Sequence, residues 1–315
     1  MVHSHLVTKD SYHYLWSKNH PAVLEIDPGD RVRFQVREVT SSQLTKKSTR
    51  GDVAKLDSSK FYPLAGPVHI KGARVGDALA IDVLKVETAG WGWSAIVPGL
   101  VPLEEFTEPY LWMWKLTRKN SVKFKNGLRV SCRPFCGVMG VVPASEGFTE
   151  SMPPGNHGGN MDIRHLTAGS RLLLPVWVDG GLFSVGDIHA AQGDGEVCVT
   201  AIECPGEVTL RLNLIKGAQL DAPRYFTSQE RTTEKSYVTT GISPDLMDAC
   251  KQAIRRMIKD LTKYASLSRD EAYIFCSVAG DLRTHEIVDK PNWVVGFSIA
   301  QPCLGPVWKK LSLPR

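Results

Sequence analysis

The sequence has no apolar run that approaches the roughly 18 residues needed to cross a membrane as a helix. It also lacks a clustered basic face, because the net charge of +5 is dispersed along 315 residues. The 27 glycines and 19 prolines are spread along the chain, so no low-complexity linker is present. We therefore expect neither a membrane protein nor a nucleic-acid-binding protein, since the latter needs Lys and Arg gathered on one surface.

Several signatures of nucleophilic and nucleotide chemistry are missing as well. No G-x-S-x-G segment is present to form a nucleophile elbow, and the Gly/Ser-rich stretch of the amidase-signature type is absent. The phosphate-binding loop and the dinucleotide fingerprint are also absent. Metal-assisted hydrolysis is the chemistry that these exclusions leave.

The cysteines indicate a reducing environment. Seven cysteines form an odd set in a chain without a signal peptide, which predicts free thiols and a cytoplasmic protein. Cys132 and Cys136 have the spacing of one end of a zinc site, but no partner pair follows at a usual distance. A cysteine nucleophile at Cys136 or Cys198 remains an alternative, although Cys198 stands in an alternating segment typical of a core strand.

Alternating apolar residues before residue 240 predict a mainly β fold. Residues 21–40 predict a hairpin around Pro28-Gly29-Asp30, and similar strand-turn-strand phrases recur at 64–86 and 165–176. These three strand-turn-strand segments, each with a Gly-Asp or Gly-Ser turn, favour a β-sandwich of jelly-roll type.

Helical character begins near residue 243. Ser243-Pro244-Asp245 predicts a helix start, and the apolar spacing that follows predicts an amphipathic helix of about five turns. Its Arg255-Arg256 pair is expected on the solvated face. Ser268 to Glu271 matches a capping box and predicts a second helix. We expect a β-rich catalytic core over residues 1–242 and helical C-terminal additions over 243–315, packed together as one domain.

The densest group of polar residues lies between residues 152 and 196. Its glycines allow the backbone to aim several side chains at one point, namely those of Asn156, His157, Asn160 and Asp162. After an apolar run come Asp187 and His189, whose spacing places them on one face of a strand. Three further polar residues follow at steps of two, namely Gln192, Asp194 and Glu196.

We expect no Lys or Arg near enough to neutralise these acids, and so many acids in one place then require a cation. A mixed set of histidine and carboxylate suits zinc, whereas an all-oxygen set favours calcium. The Asp187 and His189 pair has three interpretations: metal ligation, general base catalysis, or a hydrogen-bonded pair in the core. Bulky Phe183 and Trp177, with some of the tryptophans between residues 91 and 114, predict a tight pocket beside them.

The chain resembles the acetamidase/formamidase family. The likeness runs from PGDRV at 28–32 through GPVHIKGARVGDALAIDVL and GVMGVVPA to SVAGDLR at 277–283. Its most specific pieces are NHGGNMD and GDIHAAQGDGE. The resemblance implies hydrolysis of short aliphatic amides such as formamide and acetamide to the acid and ammonia. It also implies a mainly β fold with helical additions and assembly as a homodimer or a larger homo-oligomer.

The resemblance further implies a divalent metal bound by Asp187 and His189, with Asp162 as a third candidate. We expect zinc, with calcium as the alternative ion. Glu196 is expected to act as the general acid and base, with His157 as a second catalytic group.

The predicted substrate-binding residues are Asn156, Asn160 and Gln192. Whether an N-terminal histidine reaches the site is left open for His3, His5, His13 and His20. Two alternative functions remain at this point. One is a hydrolase of larger or cyclic amides on the same scaffold, and the other is a non-catalytic, metal-stabilised β-sandwich that binds a partner.

Overall fold

The computed structural model describes residues 2–117, 121–228 and 234–312. Strands dominate the chain, and the long helices follow residue 245. The strands are β1 (Ser4–Val7), β2 (Tyr12–His13), β3 (Leu15–Trp16), β4 (Leu24–Ile26), β5 (Arg31–Val36), β6 (Leu64–Ile70), β7 (Ala78–Thr88), β8 (Trp91–Ile96), β9 (Tyr110–Lys115), β10 (Ser121–Lys123), β11 (Arg129–Ser131), β12 (Phe135–Gly140), β13 (Thr149–Glu150), β14 (Gly158–Asn160), β15 (Arg171–Pro175), β16 (Phe183–His189), β17 (Glu203–Cys204), β18 (Gly206–Ile215), β19 (Arg224–Phe226), β20 (Ser236–Ser243), β21 (Gly280–Glu286) and β22 (Trp293–Ala300). The helices are α1 (Arg50–Val53), α2 (Leu246–Ala265), α3 (Arg269–Ala279), α4 (Gln301–Leu304) and α5 (Val307–Ser312), with a 3₁₀ turn at Ser58–Lys60.

Two large sheets contain most of the strands in the described chain. The first has the order β1-β5-β18-β7-β15-β19-β20-β22-β21, and the second runs β14-β12-β16-β17-β8-β9 with β6 beside β16. The main apolar core takes side chains from both sheets. The ring centroids of Phe34 in the first sheet and Phe183 in the second lie 6.0 Å apart across it. This face-to-face packing confirms the prediction of a mainly β, sandwich-type fold.

The predicted hairpin at 21–40 is wrong. The turn forms at Gly29, whose φ is +100°, but β4 pairs with β6 in the second sheet while β5 pairs with β1 and β18 in the first. The phrase at 64–86 behaves in the same way, since β6 and β7 belong to different sheets. Alternation specifies a strand with one buried face but not the strand that it pairs with, so these corners cross between sheets.

The two long helices form where the sequence predicts them. Helix α2 begins two residues later than expected, because the side chain of Asp245 caps it by accepting from the Asp248 amide at 2.6 Å. The capping box of Ser268 and Glu271 is present at α3. The prediction for Arg256 is wrong: its side chain is only 11 % exposed and binds the Asp221 carboxylate. No helix in the described ranges is long and apolar enough to span a membrane.

The C-terminal segment also supplies two strands. β22 pairs with β20 and β21 pairs with β22, so residues 280–300 extend the sheet that the earlier chain builds. Residues 243–315 are therefore not purely helical. The end of β21 and the loop after it bring His285, Glu286 and Asp289 close to residues that lie about a hundred positions earlier.

Candidate active site

Strand β16 carries the first two site residues. All seven of its residues are buried, and Asp187 adopts a positive φ of 55° next to its end. The Asp187 Oδ2 atom lies 3.2 Å from Nε2 of His189, so the two side chains meet as their spacing predicts. The neighbouring strand β12 has Gly137 at this point. A Cβ atom there would collide with Asp162 Oδ1 and lie 2.9 Å from Asp187 Oδ2, so a glycine is what leaves room for the cluster.

Gln192 determines how the His189 ring is oriented. Its side-chain amide nitrogen donates to the Asp162 carbonyl at 2.9 Å, so its Oε1 atom accepts from Nδ1 of His189, also at 2.9 Å. Nε2 of His189 is then the atom that faces the carboxylates, at 3.2 Å from Asp187 and 3.0 Å from Glu203. A histidine held by its other ring nitrogen in this way is typical of a metal ligand.

More carboxyl groups surround the opposite side of the ring. Asp162, Glu196 and His189 place ligand atoms within 4.8 Å of one another, and Asp289 lies next to Asp162. Asn160 donates to Asp289 Oδ2 at 2.7 Å. We call the whole group the acid centre; it consists of His189 with Asp162, Asp187, Glu196, Glu203, Glu286 and Asp289, all of them buried.

The carboxyl groups of the acid centre outnumber its one imidazole, and the pKa values of both kinds of group are displaced. Burial raises the pKa of Glu203 to about 8 and that of Glu286 to about 8. Burial and the nearby Asp162 carboxylate hold the pKa of Glu196 well above its usual range. Burial opposes a charge on His189, but Asp187 and Glu203 outweigh it and hold the pKa of the ring well above its usual range. One imidazole thus faces six carboxyl groups.

Several of the carboxyl oxygens also lack hydrogen-bond donors. They are Asp162 Oδ1, Asp187 Oδ1 and Glu286 Oε1, all buried. A buried oxygen without a donor is costly unless a cation neutralises it. This donor set, of one imidazole and several carboxylates, could hold a divalent metal ion.

A cavity of about 40 Å³ opens beside the acid centre. Its polar wall is formed by Asp162, Asp187, His189, Glu196 and Glu203, and its apolar wall includes Leu56, Phe61, Tyr62, Trp93, Val97, Leu100, Met152 and Val199. Five lining residues have a positive φ, namely Tyr62, Asp162, Asp187, Glu196 and Val199. Strained backbone of this kind concentrates at functional sites. Trp93 lines the cavity, whereas Phe183 lies in the core and Trp177 does not line it.

Four of the predicted site residues do not line this cavity, and two of them, Asn156 and His157, also lie outside the acid centre. The Asn156 side chain is exposed, and its Oδ1 atom accepts from Arg256 at 3.4 Å. His157 is buried with its ring edge-on to Trp16 at 5.3 Å, and burial lowers its pKa to about 4. The structure brings Asn160 and Gln192 to the acid centre, where they hold Asp289 and His189.

The N-terminal histidines have other contacts. His13 binds Ser184 and the Leu15 carbonyl, and His5 binds Asp30. None of the four histidines left open by the sequence lines the cavity. Cys198, expected in a core strand, is half-buried in a loop, where its thiol contacts the Ala95 carbonyl.

Sequence reasoning missed Glu203, Glu286, Asp289 and Tyr62. Glu203 had a local signal, since an acid flanked by Ile202 and Cys204 in an apolar segment is expected to be buried and paired. Glu286 and Asp289 had none, because their place beside Asp162 depends on how β21 joins the sheet.

Comparison with known proteins matches this chain to the model of the Acetamidase/Formamidase family over residues 3–152 and 145–303. The chain belongs to that family. This confirms the resemblance found in the sequence motifs. A formamidase of Methylophilus methylotrophus is 27% identical over 89% of this chain and 86% of its own length. An acetamidase of Mycolicibacterium smegmatis is 26% identical over 65% of this chain and 66% of its own.

Solved structures show the same relationship for the fold. An acetamidase from Bacillus halodurans superposes with a TM-score of 0.88 at 30% identity, covering 98% of this chain and 100% of that one. A gamma lactamase from Delftia acidovorans superposes with a TM-score of 0.68 at 24% identity, covering 95% of this chain and 93% of that one. The second likeness concerns the fold alone.

Proposed function

We propose that this member of the family hydrolyses short aliphatic amides, of the formamide and acetamide type, to the carboxylate and ammonia at the acid centre. The observation that carries the proposal is the small cavity beside a buried surplus of carboxyl groups around His189. Relatives named formamidase and acetamidase support the same reaction class. Perturbed titratable groups lining a cavity are typical of catalytic sites.

The proposal includes a divalent metal ion, zinc by preference and calcium as the alternative. Asp187, His189 through Nε2, and Glu203 are the residues that would hold it, with Asp162 as a further candidate on the other side of the ring. A histidine nitrogen among the donors favours zinc. The chemistry that such an ion supplies is polarisation of a carbonyl and activation of water near neutral pH.

Glu196 is the proposed proton carrier. It lines the cavity, and its raised pKa makes the carboxylate a stronger base that can still return the proton. In the reaction, the oxygen of water forms a bond to the amide carbon while Glu196 takes the proton. The carboxyl group then delivers this proton to the nitrogen as the C–N bond breaks, which releases ammonia and the acid.

Tyr62 is the proposed donor to the substrate oxygen. It lines the cavity, and burial together with the Asp289 carboxylate raises the pKa of its hydroxyl well above the usual range. The hydroxyl therefore stays protonated and can donate to the charge that develops on the amide oxygen. In this proposal Tyr62 contacts the substrate in place of Asn156 and His157, while Asn160 and Gln192 position the acid centre.

An ammonia-release assay tests the reaction and the size of the pocket together. A cavity of about 40 Å³ holds a few water-sized groups, so rates should fall in steps from formamide and acetamide to propionamide and butyramide. Each methylene should change transition-state binding by about 1 to 3 kcal/mol. A preference for benzamide over every short aliphatic amide would contradict the proposal.

Metal dependence needs its own measurement. Protein stripped with a chelator should lose activity and regain it with zinc, and elemental analysis of the same preparation should show the ion. Full activity in demonstrably metal-free protein would overturn the metal part of the proposal while leaving amide hydrolysis intact.

The proposal also covers the oligomeric state of the protein and its location in the cell. Assembly as a homodimer or larger oligomer is supported by exposed apolar residues on α3, where Ile274 is 67 % and Val278 is 77 % exposed. A cytoplasmic location is supported by the seven free cysteines. Light scattering of the purified protein measures the first, and cell fractionation measures the second.

A further inference from the structure

A second group of metal-binding side chains lies behind the acid centre. His165, Asp194 and His285 place one ligand atom each within 4.8 Å of one another. The pairing of β21 with β22 is irregular between Thr284 and Glu286. His285, at this irregularity, joins the second group, while Glu286 lies close to Asp162 in the acid centre. The loop at 192–196 divides in the same manner, with Glu196 on one side and Asp194 on the other. Gly195 ties the loop to the strand, since its amide donates to the His285 carbonyl at 2.9 Å.

The His285 ring has one nitrogen in use and one without a partner. Nε2 lies 3.0 Å from the hydroxyl oxygen of Tyr225, whereas Nδ1 is buried and has no hydrogen-bond partner. Burial lowers the pKa of this ring to about 3, so it is neutral at physiological pH. If Nε2–H donates to Tyr225, the lone pair on Nδ1 is available to a ligand. An unpaired buried nitrogen is unfavourable unless something binds it.

Asp194 supplies the negative charge of the group. Burial opposes its ionisation, but the His165 ring, whose Nε2 lies 3.6 Å from the carboxylate, and the charge of Arg164 lower the pKa of the carboxyl to about 2. The sequence expectation that no Arg lies near this acid is therefore wrong. The Arg164 and Arg283 nitrogens lie 3.7 and 3.8 Å from the carboxylate, longer than direct hydrogen bonds, and the Arg283 side chain is 45 % exposed.

We propose that His165, Asp194 and His285 form a second binding site, for a divalent transition-metal ion of the zinc class, separate from the acid centre. Two imidazoles with one carboxylate suit such ions better than calcium or magnesium. Tyr225 orients the His285 ring in the way that outer hydrogen bonds orient metal-binding histidines. A cavity of about 290 Å³, lined by His165, Tyr225 and His285, gives the ion a route from solvent.

The site joins three separate parts of the chain. His165 follows β14, Asp194 belongs to the loop at 192–196, and His285 belongs to β21. The same loop carries Glu196 of the acid centre and Gln192, which orients His189, so a bound ion would hold this segment in place. Because the ion binds the folded protein, occupancy should also raise the thermal unfolding temperature.

The test is a zinc titration of chelator-stripped protein by calorimetry, with elemental analysis of the zinc-loaded protein. Asp194→Asn and His285→Gln should each lower the zinc content by one ion per chain relative to wild type. Asp281→Asn is the matched control, because this acid lines the same cavity without belonging to the group. It should retain the full zinc content. Circular dichroism shows which variants are folded.

Two variants that spare the ligands sharpen the test. Tyr225→Phe should weaken zinc binding at this site by roughly 10- to 100-fold, because it removes the group that orients His285. Arg283→Gln should tighten binding, because it removes a cation that competes for Asp194. Neither result depends on amide hydrolysis.

Unchanged zinc content in the folded Asp194→Asn and His285→Gln proteins would overturn the proposal. So would equal zinc affinity in wild type, Tyr225→Phe and Arg283→Gln, or a site that binds inorganic phosphate in place of zinc. If the ligand variants fail to fold, the Tyr225→Phe and Arg283→Gln affinities decide the question.

Discussion

Two groups of ionisable residues in this protein differ in how many acidic and basic side chains they contain. Under helix α2, Arg224 binds Asp260 at 3.0 Å and Asp221 at 3.1 Å, and Arg256 binds Asp221 at 3.2 Å. The hydroxyl of Tyr237 adds a hydrogen bond to Asp260 at 2.7 Å. This network contains two positive and two negative groups. The acid centre instead sets one imidazole against six carboxyl groups and leaves several buried oxygens without donors.

We expect the Arg224 network to contribute to stability and the acid centre to contribute to activity. In the balanced network each charge has an opposite charge beside it, and removing one partner would leave the other uncompensated. The ion pairs connect helix α2 to the sheet. In the acid centre the free-energy cost of burying the carboxyl groups is not offset by the protein's own side chains. This is expected where a ligand or a metal ion completes the site. Substitutions in the two regions should therefore affect different quantities: stability in the first and activity in the second.

The largest effect is expected for the metal-binding candidates. His189→Ala and Asp187→Asn should lower turnover by roughly 10⁴-fold or more and reduce the metal content, since an ion supplies several kcal/mol of transition-state stabilisation. Asparagine tolerates the positive φ of residue 187, so the fold should persist. Exposed His3→Ala is the control. Turnover and metal content near wild type in both variants would place the site elsewhere.

Glu196→Gln should act on the chemical step alone. Turnover should fall by roughly 10²- to 10⁴-fold, the usual contribution of a positioned proton-transfer group, while metal content and melting temperature stay near wild type. Steady-state kinetics on formamide and elemental analysis measure both. A loss of less than about threefold would show that Glu196 has a structural role only.

Arg224→Met should reverse the pattern. Removing the buried guanidinium leaves the Asp260 charge uncompensated, which should cost about 3 to 5 kcal/mol in the free energy of unfolding. Chemical denaturation measures this cost. The kcat/KM of the folded protein should stay unchanged, because Arg224 does not line the cavity. A catalytic defect without loss of stability would contradict the division between the two regions.

Glu286→Gln should have the smallest effect. One carboxyl oxygen of Glu286 accepts from the amides of Val288 and Asp289, and the glutamine oxygen can replace it. Because burial raises the pKa of this group to about 8, glutamine mimics the protonated form that prevails at neutral pH. The free energy of unfolding should change by less than about 1 kcal/mol, or rise. A cost as large as that of Arg224→Met would remove the contrast between a balanced and an unbalanced group.

Local patterns of the sequence predicted the parts of the fold that depend on neighbours in the chain. The alternation of β5, the apolar spacing of α2 and the capping box at Ser268 each place their own side chains relative to one backbone segment. The Asp187 and His189 pair belongs to the same category, because a spacing of two along a strand already brings the side chains together.

Pairing and remote contacts could not be predicted in this way. The turn at Gly29 is typical of a hairpin, but β4 pairs with β6 in the second sheet and β5 pairs with β18 in the first. Asn156 and Asp162 lie six residues apart in one glycine-rich loop, yet only Asp162 turns inward.

The sequence by itself determined the family, the mainly β class, the two long helices and the central pair of Asp187 and His189, because each of these follows from local periodicity or from a contiguous motif. Tertiary structure decided the rest of the acid centre and the group behind it. Glu203 arrives through β17, and His285 and Glu286 arrive through the end of β21, where its pairing with β22 is irregular. Contacts between segments a hundred residues apart depend on strand order and register, and no local pattern in the chain encodes either.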